Sequence, residues 1–373
     1  VRRAFLYVNR IIEDQGWMRS DLARAGPGLV EETEPFHCVQ FRVGGVSVQV
    51  SGECGNDVTL VSSLERFRVA TAAFDINILI KRTPRLSRGA GQELFDSGSV
   101  WRLYQDDNRY RFDFSTPAMG DNPYKRLLVD AEFRRAILLM SNESLARVTP
   151  AAAPLDYPLD ELLIMHRLTQ EKAIELHSCG IVRPDGTGNL FVGHSGAGKS
   201  TTTRLWTARE DVEVLSDDRI IVRRDEGRSQ VLAPATVGSA FQAAGGAGEH
   251  EVLRLHDRSA SRNSRCAQVD IGRKKMRIYG TPWHGEAAYA SPASAPLARI
   301  FILQHGYGNV LTQLSPSQAV AELFARSFVP FHRHEYVESA LTFLQEVVDN
   351  VPCYRYAFEP NEGAVERIVN FRD

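Results

Sequence analysis

The chain has 373 residues, a formal net charge of −2, 43% hydrophobic residues and 24% charged residues. That is an ordinary soluble globular composition, long enough for two domains with sizeable cores. It excludes several classes: the near-neutral charge gives no footprint for nucleic acid or an anionic membrane, and no run approaches the ~20 apolar residues of a membrane span.

Five scattered cysteines with no CxxC pair argue against a zinc knuckle and read as free thiols of a reducing cytosol. Residues 1–10 carry basic flanks around an apolar run too short for a signal peptide, so a cytoplasmic protein is expected.

Residues 1–150 read as a β-rich (α+β) domain for substrate or partner recognition. Phe41-Arg42-Val43 and Val46-Ser47-Val48-Gln49-Val50 flank Gly44-Gly45, a two-residue hairpin signal. Strands are also expected at 74–80, 100–104 and 110–114. Ala151-Ala152-Ala153-Pro154 marks a boundary. Leu159, Leu162, Leu163, Met165 and Leu168 then have helical spacing over 156–169.

Strand-like runs follow at 173–176 with Ile181-Val182, and at 189–192. Only a few residues, including Pro184-Asp185-Gly186, join the last two. A parallel crossover needs a dozen or more residues, so this turn predicts an antiparallel pair. Residues 225–268, rich in small and then basic residues, read as an insertion. Beyond it the sequence predicts a strand at 276–279, a buried strand at 297–303 and a helix capped by Ser315 with Pro316 at its first position, running to about residue 327. A second helix at 335–348, a strand at 353–358 and a short helix at 364–370 complete an α/β domain over 151–373.

Chemistry concentrates after the turn. Gly193-His194-Ser195-Gly196-Ala197-Gly198-Lys199-Ser200-Thr201 matches GxxxxGK[ST] between an apolar strand and a helix. Its backbone N–H groups and the helix N-terminus suit phosphate. Lys199 would bridge the β- and γ-phosphates and Ser200 would ligate Mg²⁺, making ATP and Mg²⁺ the expected ligands. Asp217-Asp218 follow at a strand end. One acid can hold Mg²⁺ and the other can take a proton from an attacking hydroxyl. His177 is a third candidate, placed beside the phosphate loop if its strand pairs there. The stretch Gly280-Thr281-Pro282-Trp283-His284-Gly285-Glu286 reads equally as a substrate-positioning loop or as a rigid turn anchored by Trp283. Just upstream, the basic run Arg273, Lys274, Lys275 and Arg277 reads as a solvated face, from which one cation could neutralise transition-state charge.

Together, Leu176-His177, the glycine loop, Leu215-Ser216-Asp217-Asp218-Arg219 and Gly280-Thr281-Pro282-Trp283-His284-Gly285-Glu286 resemble the HPr kinase/phosphorylase family, in particular its HPr-kinase-related members. The resemblance reaches most of residues 155–373. It implies the mixed-sheet P-loop kinase fold shared with ATP-type phosphoenolpyruvate carboxykinases. By position it makes Asp217 the general base, Asp218 a Mg²⁺ ligand and His177 a phosphate-site residue; Arg219, Arg277, Trp283, His284 and Glu286 are further candidate substrate or phosphate contacts. Thr201 stands where the HPr-phosphorylating members have Glu, and their phosphorylase segment is absent. The expected activity is ATP-dependent phosphoryl transfer to a hydroxyl of a protein, peptide or small molecule, foremost a serine. A non-catalytic nucleotide sensor and carboxykinase chemistry are the alternatives, and a homo-oligomer is a further family expectation.

Overall fold

The computed structural model describes residues 37–52, 58–71, 73–106, 108–147, 153–225 and 275–372. The readings for residues 1–10, for most of the 225–268 insertion, and for Cys54, Cys266, Arg273 and Lys274 lie outside those residues.

Eight strands form one sheet among the described residues: β1 (His37–Val43), β2 (Val46–Gly52), β3 (Ile76–Thr83), β4 (Gln92–Asp96), β5 (Trp101–Asp106), β6 (Arg109–Phe114), β7 (Lys125–Asp130) and β8 (Arg135–Ser141). Their order is β1-β2-β3-β8-β7-β6-β5-β4. Gly44 and Gly45 take φ of +57° and +83°, the mirror-image turn that matches strand twist, and β1 pairs antiparallel with β2 from Val43↔Val46 outward. The β2–β3 and β3–β8 pairs are parallel, and the rest of the sheet is antiparallel.

Helix α1 (Leu159–Leu168) follows. Leu159, Leu162, Leu163, Ile164 and Leu168 pack into the core of the first sheet, and the helix also contacts the strand Ala173–Val182 of the second sheet. Helical spacing shows that a face is apolar, not which sheet it covers. Ile221 and Trp283 join that same core, and Arg223 donates to Gly44 O (3.0 Å) at the hairpin tip.

The second sheet contains β9 (Ala173–Val182), β10 (Gly188–Val192), β11 (Glu213–Ser216), β12 (Arg219–Arg224), β13 (Met276–Tyr279), β14 (Ser294–His305), β15 (Val310–Gln313), β16 (Ser327–Phe328) and β17 (Cys353–Phe358). β9 and β10 are antiparallel, as the Pro-Asp-Gly turn requires, and β10 lies parallel to β14 on its other side. Side chains alternate along β10. Leu190 and Val192 enter a core completed by α3 (Pro316–Phe324) and α4 (His334–Asn350), while Phe191 enters one completed by α2 (Lys199–Thr207) and α5 (Glu362–Val369). All three are fully buried, each contributing roughly 1.5–3 kcal/mol. Ser315 caps α3 with a reciprocal bond to Gln318, and Pro316 takes its first turn. The helix stops at Phe324 instead of running to 327, because Ser327 and Phe328 pair with β9.

Candidate phosphate-transfer site

The site grows from a change of partners in the middle of β9. Residues 178–182 pair with β10 on one side and β11 on the other, while residues 173–177 pair with β16 and β12. Everything that leaves the sheet at this level therefore converges on His177. Gly193 N donates to His177 O (3.2 Å), His177 N donates to Arg326 O (2.8 Å), and Ser178 N donates to Asp218 O (3.0 Å).

The glycine loop connects β10 to α2. Gly196 and Gly198 have φ of +79° and +101°, a region that favours glycine. A Cβ on Gly198 would stand 2.4 Å from the Phe358 ring, whereas one on Gly196 would meet nothing within 4 Å. The loop is tight where it abuts the protein and open where a phosphate would approach. Lys199 is 6% exposed and its Nζ donates to Gly193 O and His194 O, both at 3.1 Å. Burial lowers its pKa, opposed by the charge of Asp218, whose Oδ1 lies 3.7 Å away.

Asp218 is the hub of the polar cluster. Its Oδ1 accepts from His177 Nε2 at 2.9 Å, and its Oδ2 pairs with Arg219 Nη1. Burial pushes this carboxyl up, but the His177 hydrogen bond and the charges of Arg219 and Lys199 outweigh it and hold the pKa below the usual range. Arg219 is braced in turn. Its Nε donates to Glu161 Oε1 (3.0 Å) and lies 3.6 Å from Glu175 Oε1, and its guanidinium rests 4.1 Å over the Phe328 ring. Glu175 is fully buried, which raises its carboxyl well above the ordinary value, with the neighbouring Glu161 adding to the effect.

Asp217, the general base of the sequence reading, lies against the 280–290 loop. It is 1% exposed, and its carboxylate accepts from Gly285 N (3.1 Å), Ala287 N (2.9 Å) and Tyr289 N (3.2 Å). Three backbone donors take three of its roughly four lone-pair sites, so this acid latches the 280–290 loop. Adjacent residues at a strand end point in opposite directions, and nothing in Asp-Asp says which one faces the phosphate loop.

The same loop settles other candidates. Gly280 is required by close approach, since a Cβ there would come within 2.0 Å of Ser291 O. Thr281 Oγ1 donates to Arg219 O (2.8 Å), and Trp283 is buried with its Nε1 donating to Asp160 Oδ2 (2.9 Å). Trp283 thus anchors the loop. His284 and Glu286 are exposed at the loop surface. Arg277 is not brought to the cluster: it lies on β13, 3.4 Å from Asp225 Oδ2, and donates to Ser294 Oγ (3.2 Å). Sequence reasoning missed Glu161, Glu175, Glu322, Arg326 and Arg355. They are charges spread over residues 161–355 of the sequence, and only the folded chain assembles them.

A cavity of about 590 Å³ opens beside the glycine loop, between His194–Ala197, the end of β14 and the Glu322–Arg326 corner. No group of three His, Cys, Asp or Glu side chains among the described residues could hold a metal ion by itself. No helix among them is long and apolar enough to cross a membrane. Comparison with protein-family models gives no match to this chain, and comparison with curated proteins gives none either.

Proposed function

We propose that this chain is an HPr-kinase-like P-loop kinase that binds ATP with Mg²⁺ and transfers the γ-phosphoryl group to a hydroxyl, foremost a serine of a protein or peptide. The observation that carries the reading is Asp218. It is an ionised carboxylate shared by His177 and Lys199, at the mouth of a glycine loop that opens onto a helix N-terminus.

The geometry supports the following roles. The loop N–H groups and the α2 N-terminus receive the phosphates. Lys199, whose Nζ rests on two loop carbonyls, exchanges them for phosphate oxygens. The acceptor oxygen bonds to the γ-phosphorus as the bond from that phosphorus to the β–γ bridging oxygen breaks. The acceptor proton passes to Asp218, and ADP leaves. A carboxylate with a lowered pKa is a weak base but stays ionised well below neutral pH, which suffices because a loose transition state asks for little proton transfer before bond breaking. His177 and Arg219 orient it.

The donor set suits Mg²⁺, which commonly takes one or two protein ligands and completes its shell with phosphate oxygens and water. Ser200 would hold it, and the ion would supply charge neutralisation between the β- and γ-phosphates. With Asp217 spent on the 280–290 loop, the base role moves to Asp218 and leaves Ser200 as the protein ligand.

The direct test is incubation of the protein with γ-labelled ATP and Mg²⁺ in cell extract, followed by identification of the labelled species. Transfer to a hydroxyl-bearing protein, peptide or metabolite supports the reading. Tight ATP binding with no transfer to any acceptor would favour a nucleotide sensor instead.

A further inference from the structure

Among the charges that sequence reasoning missed, Arg326 lines the cavity beside the glycine loop. It directly precedes β16, and its carbonyl accepts the backbone N–H of His177. Its side chain is 9% exposed and lines the cavity beside the glycine loop. Nη1 donates to Glu322 O (2.7 Å) and Glu322 Oε2 (2.6 Å). Nε is buried without a hydrogen-bond partner among the described residues. A buried guanidinium donor left unpaired is costly, so an unpaired one beside a phosphate loop asks for an acceptor.

Two further observations bear on what that acceptor is. Arg355 Nη2 lies 3.4 Å from Glu322 Oε1, so two guanidiniums share one carboxylate and the corner keeps a net positive charge. The Arg326 charge also reaches the loop, where it is the leading cause that depresses the His194 imidazole. A planar guanidinium presents a fork of donors that matches phosphoryl oxygens.

We infer that Arg326 is a further catalytic residue. Supported by Arg355, it binds the equatorial oxygens of the phosphoryl group in transit, displacing its internal counter-ion Glu322. The inference rests on the proposed function. While the acceptor–phosphorus bond forms and the bond to the bridging oxygen breaks, charge spreads over those oxygens, and a cation supplied by the same chain lowers its energy. The competing view is that Arg326 only caps the carbonyl end of α3.

The test compares ADP–Mg²⁺ with ADP–Mg²⁺ plus aluminium fluoride, a mimic of the phosphoryl in transit, by calorimetry on the full chain. Wild type, Arg326→Gln, Arg326→Lys and Arg355→Gln are measured, with thermal unfolding as a check of the fold. In Arg326→Gln, ADP affinity should change by less than about threefold, while the extra affinity gained with fluoride should fall by about 100-fold or more. Arg326→Lys should recover part of it. Arg355→Gln should lose about tenfold, and it decides the matter if Arg326→Gln does not fold. Equal fluoride tightening in wild type and variants overturns the inference. So does parallel weakening of both complexes, which is the signature of a structural cap, and so does a wild type that binds ADP with no fluoride tightening. A wild type that binds no nucleotide removes the proposed function, and this inference with it.

Discussion

The 280–290 loop and the Glu322–Phe328 corner flank the same cluster, and they are opposites. The loop is rich in residues associated with chemistry, yet its polar groups are largely spent internally. Three of its backbone N–H groups hold Asp217, Thr281 binds the Arg219 carbonyl, and Trp283 binds Asp160. The corner has no recognisable pattern, yet it carries a guanidinium that lines a cavity of about 590 Å³ and whose Nε is buried without a hydrogen-bond partner among the described residues. What matters for a site is which polar groups remain available once the fold has used the rest.

The sharpest way to break that comparison is at Lys199. Lys199→Met removes the ammonium that rests on the loop carbonyls, and labelled-phosphate transfer should fall by about 10³-fold, a loss of about 4 kcal/mol in transition-state stabilisation. Retention of a tenth of the activity would remove the glycine loop from the account.

Asp217 should respond differently. Asp217→Ala orphans three backbone donors in a buried place and should lower unfolding free energy by about 2–4 kcal/mol, read by denaturant titration. A wild-type midpoint would mean that the loop does not depend on its latch.

Asp160 offers a finer probe through pH. Burial pushes its carboxyl up from 3.8 to about 7, against hydrogen bonds from Trp283 and the Glu161 N–H. The folded state therefore holds a proton that the unfolded chain releases. Stability falls as pH rises from about 4 to about 7 and levels off above that. Asp160→Asn lacks this slope, so its stability relative to wild type should rise across that window. A pH-independent difference would contradict the assignment.

The smallest effect belongs to Arg277. Its partners are Asp225 and Ser294, away from the cluster. Arg277→Ala should leave transfer unchanged and shift stability by no more than about 0.5–1 kcal/mol.

Local chemistry made much of this fold legible in advance. Gly44-Gly45 encodes a turn with positive φ, Pro184-Asp185-Gly186 is too short for a crossover, and Ser315-Pro316 starts a helix. The glycine loop announces itself for the same reason, because Gly196 and Gly198 take positive φ. What was not legible depends on facing and on distance in sequence. Asp217 and Asp218 are chemically identical neighbours, distinguished only by the side of the strand end each occupies. Arg326 becomes a site residue only because β16 pairs with β9 just below His177. The packing of α1 into the core of the first sheet, with β9 of the second also against it, is likewise something helical periodicity cannot specify.

The central claim is that Asp218, and not Asp217, serves the phosphate loop. The most direct measurement is single-turnover transfer from γ-labelled ATP by Asp218→Asn and Asp217→Asn, each beside its own ADP affinity. The account predicts that Asp218→Asn binds ADP within about threefold of wild type and transfers about 10²–10⁴-fold more slowly, while folded Asp217→Asn loses no more than about tenfold. Undiminished transfer by Asp218→Asn, with collapse in a folded Asp217→Asn, would contradict it.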